Sequence, residues 1–268
     1  MTTHKIILKS ATEINENEKV HLVVTSPPYP MIEMWDETFR NFGCNNYDEM
    51  HEYLGKIWKK CFAALNNGGI LCINIGDATR SVNGKFKIYP NHSRVIEICE
   101  KIGFETLPYI LWKKPTNKPN AFLGSGFLPT NAYVTLDTEF ILLFRKNGLR
   151  KFEPKDENRY ASKFTKEERD VWFSQTWQIK GKRQNEEGFE KRTAAFPEEI
   201  PKRLIKMFSV IGDVVLDPFL GTATTTKVAK ELDRNSIGYE IEKSLRNVIE
   251  RKVGYNEQDE NTKIEIIE

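Results

Sequence analysis

The sequence predicts an α/β fold built on a mostly parallel sheet. Short apolar runs, each long enough for one buried strand, alternate with longer segments whose apolar residues recur at three- and four-residue spacings. Proline, glycine or acidic residues end most of the runs, and these residue types interrupt a strand. Strands that alternate with helices pair in parallel through right-handed crossovers. With 268 residues, the chain is long enough to bury a full core.

Five strands and two helices are predicted in the first half of the chain. The strands are expected at residues 5–9, 22–24, 70–75, 104–112 and 138–144. A helix is expected at 47–65, because its apolar residues fall on one face. The run of asparagines and glycines at 66–69 predicts the end of that helix. A second helix is expected at 91–102, before Gly103.

The last third of the chain repeats the alternation. Helices are expected at 198–210 and 222–232, strands at 214–216 and 236–240, and a final helix from Ser244. The polar residues after Tyr255 are expected to fray, as chain ends commonly do.

Composition and sequence pattern argue against a secreted or membrane-spanning protein and against a metal site or disulfide framework. The hydrophobic fraction of 39% and the net charge of +2 are ordinary for a globular protein. The first residues lack the shape of a signal peptide, and no apolar run approaches the length of a membrane span, so a cytoplasmic protein is expected. The cysteines have no C-x-x-C spacing, which argues against a metal site or a disulfide framework; they are Cys44, Cys61, Cys72 and Cys99. The last three are expected to be reduced core residues.

Residues 21–30 (HLVVTSPPYP) predict a stiff loop at the carboxyl end of a buried strand. Pro27 and Pro28 lack the N–H that a sheet requires, and each holds the preceding residue in an extended conformation. The loop therefore presents the Ser26 hydroxyl, free carbonyls and the Tyr29 ring where open α/β sheets bind ligands. This combination suits a planar heterocycle with an exocyclic amine. A Pro-Pro turn beside a core tyrosine is the alternative.

A second motif runs from Val215 to Glu240 as strand, glycine turn, helix, strand and acid. Gly221 allows a ligand to approach the backbone at a helix N-terminus. A dinucleotide site is disfavoured, because there is no G-x-G-x-x-G and the Asp217 carboxylate would repel a pyrophosphate. Asp217 suits a cationic or amino-bearing ligand, and Glu240 suits a ribose diol. S-adenosylmethionine has both features. The alternative is two surface acids at strand ends.

Two further segments favour contact with nucleic acid. Residues 113–133 form a loop rich in proline, glycine, asparagine and lysine, and a loop of this length is usually functional. From Arg145 to Lys206 the chain carries 17 Lys/Arg against 11 Asp/Glu. Aromatic residues are interleaved with these cations, a pattern that suits phosphate binding and base stacking; they are Tyr160, Phe164, Trp172, Phe173 and Trp177. A small satellite core would explain the aromatic residues as well.

Together these motifs resemble the beta class of amino-group DNA methyltransferases, in which the catalytic half precedes the cofactor half. Residues 25–29 (TSPPY) resemble the catalytic motif of the class, 216–222 (LDPFLGT) its cofactor motif, and 196–201 (FPEEIP) the segment before it. Residues 69–77 and 112–115 resemble two lesser motifs. One difference is that the first strand ends in Lys9-Ser10-Ala11, where the class often has Gly-Asp. Asp77 is a possible substitute for the missing carboxylate.

The resemblance implies a Rossmann-like fold, permuted in motif order, with an inserted DNA-recognition region. It divides the chain into a catalytic half (1–145), a target-recognition insertion (146–195), a cofactor-binding half (196–255) and a polar tail (256–268). It implies that Ser26, Pro27, Pro28 and Tyr29 are catalytic. The cofactor residues would be Asp217, Pro218, Phe219, Gly221, Thr222, Glu240, Phe196, Pro197 and Asp77. The residues expected to bind DNA are Lys113, Lys114, Lys118, Lys180, Lys182 and Arg183.

The implied reaction is transfer of a methyl group from S-adenosylmethionine to the N4 amine of a flipped cytosine in double-stranded DNA. Ser26 favours cytosine, because Ser-Pro-Pro-Tyr is typical of the cytosine N4 enzymes. Adenine N6 methylation stays open, and so does a catalytically silent nucleic-acid-binding module. A companion restriction endonuclease and a homodimer are possible partners.

Overall fold

A nine-stranded sheet organises the protein. The computed structural model describes residues 1–115, 123–124, 128–181, 196–258 and 260–268. The strands are β1 (Thr2–Ile7), β2 (Val20–Thr25), β3 (Leu65–Ile75), β4 (Ala78–Val82), β5 (Lys85–Tyr89), β6 (Glu105–Lys113), β7 (Leu123–Gly124), β8 (Ala132–Tyr133), β9 (Thr138–Arg145), β10 (Thr176–Gln178), β11 (Val214–Asp217), β12 (Asn235–Tyr239) and β13 (Thr262–Ile267). The helices are α1 (Asp36–Asn41), α2 (Tyr47–Ala64), α3 (Asn91–Ile102), α4 (Glu157–Ala161), α5 (Lys166–Trp172), α6 (Glu199–Phe208), α7 (Thr224–Glu231) and α8 (Arg246–Val253).

The sheet has the order β10-β6-β9-β3-β2-β11-β12-β1-β13. Within it, β9 runs antiparallel to both of its neighbours, β3 and β6, and the remaining pairs are parallel. The predicted α/β fold with a mostly parallel sheet is therefore confirmed. In this order β2 and β11 lie side by side at the centre, although nearly 200 residues separate them along the chain.

Helices cover both faces of the sheet because the central strands are apolar on both sides. Val23 packs in the cluster with Leu54 and Trp58 of α2. Its neighbours Leu22 and Val24 pack in the opposite cluster, with residues of α6 and α7. Side chains alternate between the two faces of a strand, so a continuous apolar run such as Leu22–Val24 must be buried on both.

The junction between α2 and β3 differs from the prediction. α2 begins after Asn46, whose side chain accepts a hydrogen bond from the Glu49 backbone N–H at 3.0 Å, and it ends at Ala64. The strand then begins at Leu65 instead of residue 70, so residues 66–69 belong to the strand. Gly68 has a φ of +78°, and a Cβ there would lie 2.2 Å from the Arg150 backbone nitrogen. The asparagine–glycine run therefore permits a close backbone approach within the strand.

The polar tail does not fray, contrary to the prediction. Its last segment is β13, which pairs in parallel with all six residues of β1. Ile264 is 4% exposed and packs with Ile6, Leu8 and residues of α8 in a third cluster. Without β13, β1 would be the edge strand of the sheet, so its free edge is available for pairing with the tail. The alternation of polar and apolar residues in Thr262–Ile267 is the signal that could have predicted it.

A β-hairpin also escaped prediction. β4 and β5 pair in antiparallel register between Asp77 and α3. Asn83 and Gly84 both have positive φ, 51° and 74°, as a tight two-residue hairpin turn requires. The Asn-Gly pair between two short strands was the signal available in the sequence.

The aromatic residues of the predicted recognition insertion have two different environments. Trp172 and Trp177 are buried and pack in the same cluster as Trp112. β10, which contains Trp177, extends the sheet at its edge beside β6. These two tryptophans therefore belong to the main core on one face of the sheet and not to a separate satellite core, whereas Tyr160 and Phe173 are 69% and 51% exposed. The domain boundaries stay a prediction.

The four cysteines are buried and unpaired, as expected for Cys61, Cys72 and Cys99. Across the described ranges, no three His, Cys, Asp or Glu side chains are grouped so as to hold a metal ion. No helix among those residues combines the length and the apolar character needed to cross a bilayer.

Candidate active site

The two motifs meet at the carboxyl ends of the neighbouring strands β2 and β11. Val23 lies beside Leu216 in the parallel register, so Thr25 and Asp217 end their strands together. The Thr25 hydroxyl donates a hydrogen bond to Asp217 Oδ1 at 2.7 Å. The predicted catalytic loop and the predicted cofactor turn therefore both begin beside the Thr25–Asp217 hydrogen bond.

The prolines of the predicted catalytic loop are packed into the protein, and two of its side chains stay partly exposed. Pro27, Pro28 and Pro30 are buried, whereas Ser26 and Tyr29 are half-buried. The Asn91 side-chain amide donates to the carbonyls of Pro30 and Gly76, both at 2.9 Å. The first residue of α3 thus fixes the end of the loop against the end of β3.

The Tyr29 hydroxyl lies at the centre of a polar network that we call the Tyr29 network: Ser26, Tyr29, Asn74, Lys114 and Glu139. The hydroxyl donates to Glu139 Oε2 at 2.8 Å, lies 3.1 Å from Ser26 Oγ, and accepts from Asn74 Nδ2 at 2.7 Å. Asn74 Nδ2 also donates to Glu139 Oε2 at 2.7 Å, and Lys114 forms an ion pair with Glu139. The Tyr29 ring packs against Gly76, where an added Cβ would lie 3.1 Å from Cε2.

Burial and the neighbouring Glu139 charge raise the pKa of Tyr29 well above its usual range. Its hydroxyl therefore keeps its proton at physiological pH. Sequence reasoning missed Asn74 and Glu139. Asn74 interrupts the apolar run Ile70–Ile75 of β3, and Glu139 directly precedes the apolar run Phe140–Phe144 of β9; that contrast was the signal available.

Asp217 has three hydrogen-bond donors within the protein. Besides Thr25, the Thr225 hydroxyl donates to Oδ2 at 2.6 Å and the Phe219 backbone N–H donates to Oδ1 at 3.1 Å. Asp217 is 3% exposed, and burial raises its pKa to about 6. The carboxylate shapes the turn between β11 and α7, and its role as a cofactor ligand stays a prediction.

Glu240 lies across from the cofactor turn, at the end of β12. Its Oε2 accepts from the Gly221 backbone N–H at 2.7 Å, and its Oε1 accepts from the Glu242 backbone N–H at 2.8 Å. Burial is the main cause that raises its pKa to about 7. Gly221 has a φ of +54°, and nothing lies within 4 Å of a Cβ built there. Open space beside a glycine turn and a carboxylate acceptor at the next strand fit S-adenosylmethionine.

The remaining cofactor candidates have unequal access to a ligand. Phe219 is half-buried with its ring edge-on to Trp58, and Pro218 is buried. The Lys252 ammonium donates to the hydroxyls of Thr222 and Thr224, at 2.8 and 2.6 Å. These contacts hold the start of α7, and the cofactor roles of Pro218, Phe219 and Thr222 stay predictions.

Phe196, Pro197 and Asp77 are more closely tied to the fold. Phe196 is 6% exposed in the core cluster that contains α6, and Pro197 is half-buried and accepts the first hydrogen bond of that helix from Ile200. The Asp77 carboxylate is bonded to His92, with its Oδ1 accepting from the backbone N–H at 3.1 Å and lying 2.8 Å from Nδ1. Asp77 therefore caps α3, and its role as a substitute cofactor ligand stays a prediction.

The basic residues predicted to bind DNA are only partly described. Lys113 pairs with Asp137 at 3.6 Å, and Lys114 pairs with Glu139 and lies over the Trp112 ring. Lys180 is exposed. The predictions for Lys118, Lys182 and Arg183 fall outside the described residues.

Comparison with known proteins identifies the family of the chain. Residues 20–251 match the family model of the N6/N4 methyltransferases, described as DNA methylase. The chain is 60% identical to the Type II methyltransferase M.MjaI of Methanocaldococcus jannaschii, covering 96% of this chain and 93% of that one. It is 45% identical to the Type II methyltransferase M.MthZI of Methanothermobacter thermautotrophicus, covering 94% and 77%.

Solved structures show the same fold. The S-adenosyl-L-methionine complex of TTHA0409 from Thermus thermophilus aligns with a TM-score of 0.78 and 30% identity, over 99% of this chain and 98% of that one. The cytosine-N4-specific PvuII DNA methyltransferase aligns with a TM-score of 0.64 and 17% identity, over 99% and 96%. With its two motifs joined at the centre of this fold, the chain belongs to the N6/N4 family of S-adenosylmethionine-dependent DNA methyltransferases.

Proposed function

We propose that this protein methylates the N4 amine of cytosine at a specific site in double-stranded DNA. The observation that carries the proposal is the position of the Ser26 hydroxyl. Ser26 is half-buried and directly follows Thr25, whose side chain is hydrogen-bonded to Asp217. A base amine bound at Ser26 would therefore lie beside the end of the cofactor strand. Proximity and orientation of this kind contribute much of the rate of a group transfer.

The chain's own residues prepare the amine and hold the base. The amine of cytosine is a poor nucleophile, because its lone pair is delocalised into the ring. Hydrogen bonds from the amine to Ser26 Oγ and to the Pro27 carbonyl favour a more tetrahedral nitrogen. Glu240 and the backbone of the turn at Gly221 would hold the cofactor, which supplies an electrophilic methyl group on sulfur when bound.

The base must leave the helical stack to reach Ser26. Extruding a base costs a few kcal/mol, roughly, which contacts to the DNA backbone and to the extruded base must offset. Tyr29 is the ring nearest to Ser26 in the loop, and we assign it the stacking contact. Its hydroxyl is fixed by Asn74 and Glu139, so the ring is held in one orientation before a base arrives.

Ser26 supports cytosine as the target over adenine. A Ser-Pro-Pro-Tyr motif is typical of the cytosine N4 enzymes, although a hydroxyl is chemically able to serve either amine. Adenine N6 is the second candidate, because the matched family model covers both amines. The Type II names of the two relatives support a role in a restriction–modification system, with an endonuclease that cuts the same site.

The test uses the purified protein, labelled S-adenosylmethionine and plasmid DNA. Digestion of the product to nucleosides is expected to yield labelled N4-methylcytosine, and sequencing would then give the site. Labelled N6-methyladenine would replace the cytosine proposal with the adenine one. DNA that is bound but carries no label would indicate the catalytically silent module.

A further inference from the structure

The Tyr29 network contains a carboxylate, Glu139, that the chemistry above does not use. Glu139 stands at the start of β9, 14% exposed, and Oε2 receives hydrogen bonds from Tyr29 and Asn74. Lys114 pairs with its other oxygen. A carboxylate one hydroxyl away from a catalytic serine calls for a chemical explanation, because a serine by itself is a very weak base.

The hydrogen-bond directions in this network follow from its donors and acceptors. An ionised carboxylate only accepts hydrogen bonds, and Glu139 forms an ion pair with Lys114. The single hydroxyl proton of Tyr29 therefore points to Glu139. The Asn74 amide nitrogen must face this pair, because the opposite orientation would place its oxygen 2.7 Å from a carboxylate oxygen.

With its only proton committed to Glu139, the Tyr29 oxygen can only accept from Ser26, across 3.1 Å. The proton of the Ser26 hydroxyl therefore points away from the bound base. Both lone pairs of Ser26 Oγ are then left for the amine hydrogens. The direction of the serine hydroxyl is thus determined by a carboxylate two hydrogen bonds away.

We propose that Glu139 is a positioning residue that orients the Ser26 hydroxyl as an acceptor and receives, through Tyr29, the proton that the methylated amine releases. The inference rests on the proposed function and deepens it. It applies equally to a cytosine and an adenine amine, because both release one proton on methylation.

The proton and electron balance is complete along this route. The amine nitrogen forms a bond to the methyl carbon while the carbon–sulfur bond breaks, and the electron pair of that bond stays on sulfur. The nitrogen then carries a positive charge and one proton too many. That proton passes to Ser26 Oγ as the serine proton passes to Tyr29 and the tyrosine proton passes to Glu139. Serine and tyrosine end unchanged, and Glu139 ends protonated.

Tyr29 need not ionise in this relay, because it gains one proton as it loses another. That agrees with the raised pKa of its buried hydroxyl. The titratable groups that contact Glu139 are Lys114, which directly follows β6, and the neutral Tyr29. His92, which is paired with Asp77, stacks on Phe140, the residue that follows Glu139 in β9.

The test replaces Glu139 with glutamine, which keeps the size and an acceptor for Tyr29 but cannot take up a proton. Single-turnover methyl transfer at saturating cofactor is expected to fall about 100-fold, the lower part of the range for a general base. The acidic limb of the pH–rate profile should disappear in the variant. Cofactor affinity by calorimetry and base extrusion by 2-aminopurine fluorescence should not change. Glu105→Gln, an exposed glutamate at the far end of β6, is the matched control.

Three further variants separate the relay from a structural role. Tyr29→Phe should slow transfer as much as Glu139→Gln, and the double variant should be no slower than either. Formate added to Glu139→Ala should restore part of the rate by supplying a carboxylate. A folded Glu139→Gln protein with the wild-type rate and pH profile would overturn the inference. A wild-type protein that methylates no DNA would instead overturn the proposed function.

Discussion

The Thr25 hydroxyl and the Asp217 carboxylate lie 2.7 Å apart, although 192 residues separate them in the chain. This hydrogen bond joins the strand before the predicted catalytic loop to the strand before the predicted cofactor turn. Both groups are buried, so the bond is shielded from water and holds the two strand ends in register. A change at Asp217 should therefore affect both the fold and the binding of the cofactor.

The first prediction concerns Asp217→Ala. The variant leaves two buried threonine hydroxyls and one backbone N–H without their acceptor, which should lower the free energy of unfolding by about 1–3 kcal/mol. S-adenosylmethionine binding should weaken by on the order of 1.5–3 kcal/mol, the range for hydrogen bonds to a charged group. Urea unfolding and calorimetry measure the two effects, with the exposed Asp170→Ala as control. Unchanged cofactor affinity in a folded variant would remove Asp217 from the cofactor site.

The second prediction concerns the pH dependence of cofactor binding. Burial raises the pKa of Glu240 to about 7, so the carboxyl is mostly protonated below that pH. A ribose diol donates to the ionised form, so cofactor binding should release a proton near pH 7 and the affinity should rise with pH through this range. Calorimetry in buffers of different ionisation enthalpy would measure the released proton. The Glu240→Gln variant should lose this pH dependence, and an identical dependence in the variant would assign it to another group.

Ser26→Ala should impair methyl transfer alone. The variant removes one acceptor for the amine but leaves the Pro27 carbonyl, the rigid loop and Tyr29 in place. A drop of about 10²-fold in the single-turnover rate is expected, as for the loss of one preorganised polar contact. Cofactor affinity should stay near the wild-type value. A wild-type rate in the variant would mean that the hydroxyl only shapes the turn.

DNA binding should depend on the basic residues of the predicted recognition insertion. Changing Lys180, Lys182 and Arg183 together to glutamine should weaken DNA binding and lower its salt slope by about 0.9 for each phosphate that is no longer neutralised. Cofactor affinity should not change. Neutralising Lys56, Lys59 and Lys60 of α2 removes the same charge elsewhere and is the matched control. An unaltered salt slope in the first variant would indicate that DNA contacts residues 113–118 instead.

The fifth prediction tests the C-terminal strand. Ile264→Ala should lower the free energy of unfolding by about 2–5 kcal/mol, because the side chain is buried between β1 and α8. Ile267→Ala should cost less than about 1 kcal/mol, since this isoleucine on the same strand is 41% exposed. Urea unfolding compares the two variants directly. Equal small losses would mean that the tail is not docked in solution.

The strand and helix pattern was largely predictable from local sequence. The helix at Asn91–Ile102 was placed with its observed bounds, and most other elements were placed within a few residues. The missed β4–β5 hairpin is local, and its Asn83-Gly84 turn was visible in the sequence. Two other errors occurred where a distant contact decided the local structure. Residues 66–69 have the composition of a turn and fall at a shift in the register with β2, but backbone hydrogen bonds of Gly68 and Gly69 with Lys146 and the close approach of Arg150 hold them in a strand. The tail forms a strand because it pairs with the otherwise free edge of β1.

The candidate site likewise has features that local sequence predicts and contacts that only the fold determines. Local sequence was enough to identify the residues that carry the hydroxyl, the rigid loop, the glycine turn and the acids, because those features depend on residue type and short spacing. The partners of each acid depend on the three-dimensional fold. Parallel pairing of β2 with β11 places Asp217 within hydrogen-bond distance of Thr25. Antiparallel pairing of β9 with β3 places Glu139 beside Asn74 and Tyr29. Strand order and register set these contacts between distant residues, and no local pattern encodes them.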